Sequence, residues 1–352
     1  MVQRKELTTV LINVITAKMV LMVPKLFIEN SANAAWLQLT VNCVFVFFLY
    51  WIIFHVYRGR KNIIALAEMA GGKPLKIITG VIVFSFLMVN YSSIVMAFPD
   101  TVKIVLLQDF NIKAIVIVFE IIIAIGAYVG IEALSKVTYI YMPFMGAVLT
   151  VFLIFLIPYY HFYNILPIFG NGYLKLFLKG FNSISIFSDM LILNILMPYY
   201  SNAMESKKSG MRAIMISSAV IISIMTVYCL VVPYPVSEDF TLPVYQLARM
   251  VHLGSFFSRF EAVFEFAWSI LMLMYSSIYV FVMCYVWQIT FNLKYYRPLI
   301  FPVIFISVWA ESLLDENVVN IIYPVAFVIP LIFAFVSTKF VRRDGGMTSE
   351  KA

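Results

Sequence analysis

Leu7–Ile28 reads LTTVLINVITAKMVLMVPKLFI. It is apolar over the roughly 20 residues a helix needs to cross a bilayer at about 1.5 Å per residue. Lys18 stands near its middle. A lysine at mid-bilayer costs about 2.5–3.5 kcal/mol on insertion scales. A chain that keeps one there must enclose it in protein or water and supply an anion. Thr16, Ala17 and Met19 flank the charge, Asn13 lies one turn before it, and Pro24 follows. The stretch reads as a helix interrupted at mid-depth, with the lysine facing inward. A lysine that snorkels to an interface along its methylene stem belongs nearer the end of a span.

The rest of the composition agrees. Of 352 residues, 63% are hydrophobic and 12% charged, and the mean hydropathy is +0.96. Soluble domains carry about twice that charge. Long unbroken apolar runs exclude the short alternating strands of a β-barrel. The first run is too long for a cleavable signal peptide and lacks a small-residue cleavage site. Cys43, Cys229 and Cys284 all fall inside apolar runs, and His55, His161 and His252 are scattered, so neither a disulfide framework nor a metal site is indicated. No nucleophile–base array, phosphate loop or cofactor box is present, and an enzyme is not expected. The net charge of +7 sits in short loops between helices and signals topology rather than nucleic acid.

Ten spans are predicted, at about 7–28, 33–57, 75–99, 112–130, 137–159, 180–203, 210–233, 261–288, 298–314 and 319–340. With both termini in the cytoplasm, the inner segments hold 17 of the 25 basic residues and the outer ones seven. That is the bias expected of cytoplasmic loops. Two outer connections are long. Tyr160–Lys179 has Asn-Gly turn chemistry and a short amphipathic piece. Pro233–Phe260 has apolar residues at helical spacing over Val244–Leu253. Both read as helices on the outer face, either lids over a pocket or surface filler.

The sixth span, GFNSISIFSDMLILNILMPYYSNA, resembles the first in plan. Asp189 stands near mid-depth among Ser183, Ser185 and Ser188, with Asn194 and Pro198 beyond. Five spans plus five, with a broken first helix in each half and the halves entering from opposite faces, is the pattern of an inverted-repeat transporter. The chain therefore reads as one all-α polytopic membrane domain over 1–352, with repeat one at about 7–159 and repeat two at about 180–340.

Phe240–Trp268, FTLPVYQLARMVHLGSFFSRFEAVFEFAW, carries a more specific resemblance. A Phe/Leu-Pro turn, an apolar-Ala-Arg helix, Gly, then Arg-x-Glu-Ala and Trp resemble the B-subunit permeases of spore germinant receptors. These form a branch of the amino-acid/polyamine/organocation superfamily. Gly72-Lys73-Pro74-Leu75, Asn164-Ile165-Leu166-Pro167 and Tyr296-Arg297-Pro298-Leu299 support it, and the similarity covers nearly the whole chain. One departure stands out: Thr16-Ala17-Lys18 occupies the place of the glycine-containing break common in the family's first span. The resemblance implies a ten-helix inverted-repeat core in the spore inner membrane. It implies a small nutrient ligand, typically an amino acid, bound between spans one, three, six and eight. It also implies an A-type membrane subunit and a C-type lipoprotein as partners, besides the lipid bilayer.

Lys18 and Asp189 are the sharpest site candidates, since broken first helices of the two halves cross near the midplane. Thr16, Ala17, Phe187 and Ser188 are placed to offer backbone groups to a ligand. Asn90 in the third span and Trp268 and Ser276 in the eighth are candidate pocket residues, equally suited to hydrogen bonds between helices. Glu120 and Glu265 are candidate proton sites, although Glu265, about one turn into its span, reads better as an interfacial acid. Three functions compete: a ligand-binding receptor subunit that signals to partners, an active and proton-coupled amino-acid transporter, and an assembly subunit with a vestigial pocket.

Overall fold

The computed structural model describes residues 3–18, 23–56, 62–174, 176, 187, 189–200, 203–251 and 259–311. These are helical, with no strand among the described residues. In chain order the helices are α1 (Arg4–Thr16), α2 (Val23–Ser31), α3 (Ala35–Val56), α4 (Ile63–Val105), α5 (Ile112–Val129), α6 (Ile131–Phe155), α7 (Met190–Ile195), α8 (Ala203–Val231), α9 (Val236–Asp239), α10 (Pro243–Met250), α11 (Phe260–Phe291) and α12 (Ile300–Glu311). Six helical stretches among them are long and apolar enough to cross a membrane. The chain is a polytopic helical membrane protein. The expected tenth span and part of the sixth, including Ser188, lie outside the described residues.

The lateral faces show which solvent the fold is built for. On α5, Ile117, Ile121 and Ile125 recur at four-residue spacing and are each more than half exposed, while Glu120, Ile123 and Ala127 on the other face are buried. The apolar stripe faces outward and the acid faces the bundle. That is the reverse of a water-soluble helix and fits a hydrocarbon surround.

α11 is the hub. It is buried along most of its length and packs against α4, α5, α6, α10 and α12, with further contacts to α1 and α7. Small residues let the neighbours come close. A Cβ built on Gly80 of α4 would lie 2.0 Å from the Thr290 hydroxyl, so only glycine fits that crossing. Backbone approach through small residues is what drives helix association where lipid removes the hydrophobic drive.

α4 is longer than its predicted span. Asn62 caps it, its side chain accepting from the Ala65 amide at 2.8 Å. The helical path then breaks at Gly71–Gly72, where Gly72 has φ +68 and ψ −161, and resumes with Pro74 in its first turn. Lys76, just past the break, is buried. It pairs with Glu68 at 2.9 Å and donates to the Asn292 side chain at 2.8 Å. Asn292 terminates α11 in the left-handed region at φ +52, a conformation asparagine tolerates. One ammonium thus ties the two segments of α4 on either side of the break to the end of α11.

Candidate functional site

The first apolar stretch is two helices, α1 ending at Thr16 and α2 starting at Val23; residues 19–22 between them are not among those described. α1 closes with the Ala17 amide donating to Asn13 O at 2.8 Å. The Ala17 carbonyl accepts from the Trp268 indole N–H at 2.8 Å. A buried carbonyl at a helix end needs such a partner. One turn earlier, the Asn13 side-chain amide donates to Leu271 O at 3.3 Å. The hydrogen bonds 13-to-271 and 17-to-268 run in opposite senses along the two chains, so α1 and α11 are antiparallel here.

Lys18 follows directly. Its Nζ lies 2.7 Å from Asp189 Oδ2, and both side chains are nearly inaccessible. Asp189 stands at the N-terminal boundary of α7, and its other oxygen accepts from the Tyr279 hydroxyl of α11. An ion pair so buried gains stability only when further hydrogen bonds satisfy the partners, and Tyr279 supplies one. The Tyr275 ring lies 4.7 Å from that of Tyr279.

The expected residues therefore separate. Lys18, Asp189, Ala17 and Trp268 come together through the contacts above. Phe187 and Ser276 are buried close to them in sequence, at 2% and 1% exposure. Thr16 directs its hydroxyl back to Ile12 O of its own helix at 2.7 Å. Asn90 likewise donates to Phe86 O at 3.1 Å. Both side chains are thus engaged locally, as hydroxyl and amide groups in membrane helices commonly are. Glu120 accepts from the Tyr91 hydroxyl at 2.8 Å and links α4 to α5. Glu265, expected at the interface, is fully buried by protein.

Sequence reasoning passed over Tyr279, although it falls three residues after Ser276 and 11 after Trp268, on the same face of α11. That periodicity was available. The role of the Ala17 carbonyl was not, since any residue offers one.

Chemically the arrangement is a set of opposed groups at the end of an interrupted helix. It has a neutralised ion pair, an indole clamp on a terminal carbonyl and an aromatic wall. The Phe98 ring meets Trp268 edge-on at 5.4 Å and stacks on Phe119 at 4.8 Å.

Forty solved chains match this fold. One is MHP1, a nucleobase-cation-symport-1 family transporter in a closed conformation with bromovinylhydantoin bound. It aligns with a TM-score of 0.65 at 11% identity, over 91% of this chain and 74% of that one. The likeness gives a transporter-type fold. A comparison with curated proteins gives no match. The family model described as spore germination protein matches residues 1–319, and the chain belongs to that family.

Proposed function

We propose that this protein is the permease-like membrane subunit of a spore germinant receptor. It binds a small nutrient, an amino acid in the first instance, where α1 ends against α11 and α7. It sits in the spore inner membrane with both termini cytoplasmic, on a ten-helix scaffold of two inverted five-helix repeats. An A-type membrane subunit and a C-type lipoprotein read its state. The role is one of binding and signalling, without catalysis. The observation that carries this reading is the buried Lys18–Asp189 pair at the end of α1, in a chain of the spore germination family.

A ligand can shift a conformational equilibrium only by binding one state more tightly. The site has the means. Lys18 and Trp268 hold the end of α1 to α7 and α11, so a ligand that competes for either contact changes how α1 is held. Lys18 acts either as a fixed cation in the place of a coupling ion or as a direct ligand contact. The test is germination in spores whose receptor carries Lys18→Ala or Trp268→Phe, challenged with single amino acids, with subunit level measured in the same membranes. A response lost at preserved level supports the reading. A response retained in both variants refutes it.

The second reading, an amino-acid transporter, is favoured by the fold likeness to a symporter. Radiolabelled uptake into proteoliposomes separates the two. Uphill accumulation driven by a proton gradient would establish transport.

A further inference from the structure

Residues 265, 268, 272, 276 and 279 of α11 follow the three- and four-residue spacing of one helix face. All five are buried at 1% exposure or less. Two of them make the contacts described above: Trp268 to the end of α1 and Tyr279 to Asp189. Glu265 is on the same face, one turn beyond Trp268. Because α1 and α11 are antiparallel, it stands past the point where α1 stops. Neither of its carboxyl oxygens has a hydrogen-bond partner among the described residues.

A carboxyl so placed is costly. An isolated charge in low dielectric is penalised heavily, and even a neutral polar group without a partner costs a few kcal/mol. Trp268, one turn along the same face, contacts the C-terminal end of α1, which carries the negative pole of that helix. The Lys18 ammonium that follows Ala17 is held by Asp189. Among the described residues no cation pairs with Glu265, and a group with several N–H donors would satisfy it.

We propose that Glu265 is the anionic end of the ligand pocket and receives the ammonium group of the ligand. The ligand class is then primary amines, amino acids included, with the amine required and the carboxylate dispensable. This rests on the reading of the site as a ligand pocket.

The experiment uses the purified full chain in detergent and follows its melting temperature. The probes are L-alanine, L-valine and L-leucine, each with its decarboxylated amine and its deaminated acid. Ligands that bind the folded state raise the melting point by mass action. The expectation is a rise of about 3 °C at saturation with at least one amino acid and its amine, and none with the matching acid. Glu265→Gln should abolish the rise and Glu265→Asp should keep part of it, both with unchanged elution as a folded monodisperse protein. An acid that stabilises as well as its amine overturns the proposal, as does an undiminished rise in Glu265→Gln. A folded wild-type chain that no amine stabilises also overturns it. A response to a non-amine probe that disappears in Trp268→Phe but not in Glu265→Gln would leave the pocket standing and remove Glu265 from it.

Discussion

Lys18 Nζ and Asp189 Oδ2 lie 2.7 Å apart although the chain between them runs through α2 to α6. The pair joins the end of α1 to the start of α7. Each residue alone would be an uncompensated charge in an apolar span. Removing one partner of a buried pair costs about 3–5 kcal/mol, whereas replacing both with neutral groups is often close to neutral. Lys18→Ala should therefore lower membrane level and thermal stability, and adding Asp189→Asn should restore part of the loss. Ligand response should stay poor in the double variant. Stability measured in the two single variants and the double one forms a cycle. Strictly additive losses would show that the two charges do not interact.

Trp268→Phe tests the clamp on α1. An aromatic ring is kept next to Phe98, but the smaller ring leaves space in a fully buried site and the Ala17 carbonyl loses its donor. A buried acceptor left unsatisfied costs about 1–3 kcal/mol. The melting temperature should fall by a few degrees. Trp268→His, which restores an N–H donor on a ring, should recover part of that loss in the same melting assay. No recovery would assign the indole a packing role.

Tyr91→Phe probes a different junction. It removes the hydroxyl that donates to Glu120 and strands the acid between α4 and α5. A loss of about 1–3 kcal/mol is expected, and Glu120→Gln in the same chain should relieve it, since an amide tolerates the site better than a lone carboxyl. Ligand response per folded subunit should be unchanged in the double variant. A response lost there would give Glu120 a functional role.

Much of this was readable in advance, for a physical reason. An isolated charge inside an apolar run demands a counter-charge, and Lys18 and Asp189 were each the sharpest charge of a broken span. The break at Gly72 was not read in advance: Gly72-Lys73-Pro74-Leu75 served only the family resemblance, and the structure shows the chain turning there because only glycine adopts a φ of +68 without strain. Glu265 was misjudged because depth was counted along its own helix. Its burial comes from neighbours: α10 packs against α11, and Phe152 of α6 stacks on Phe260 and meets Phe264 at a tilt beside it. The side chains of Thr16 and Asn90 bond to backbone carbonyls of their own helices, which the sequence did not foretell.

The Gly80–Thr290 crossing yields a prediction with built-in rescue. Gly80→Ala places a methyl group against the Thr290 side chain where α4 meets α11. Overpacking of this kind typically costs about 1–3 kcal/mol. Thr290→Ala removes the hydroxyl and methyl that the new Cβ would meet and leaves the Thr290 Cβ at 2.7 Å, so the relief is partial. The double variant should melt above Gly80→Ala alone. If it melts lower, the two helices are not in the contact described, and the hub around α11 is wrongly placed.

Sidedness follows from α11 itself. Asp239 precedes α10 and Lys294 follows α11, and both are exposed. Of the helices between them, α10 has eight residues and cannot span, while α11 has 32 and can. If α11 crosses, the two positions lie on opposite sides of the membrane. The proposed topology has Lys294 and Arg297 inside and Asp239 outside. Cysteine accessibility tests this cleanly, because Cys43, Cys229 and Cys284 are buried and should give little background. Asp239 is the better reporter than its neighbour Ser237, which is buried beneath the Tyr228 hydroxyl bond to its carbonyl. Asp239→Cys in intact cells should react with an impermeant maleimide, and Lys294→Cys should react only after the membrane is opened. Labelling of Lys294→Cys from outside, with Asp239→Cys protected, would invert the whole assignment. Labelling of both from outside would mean that α11 does not cross.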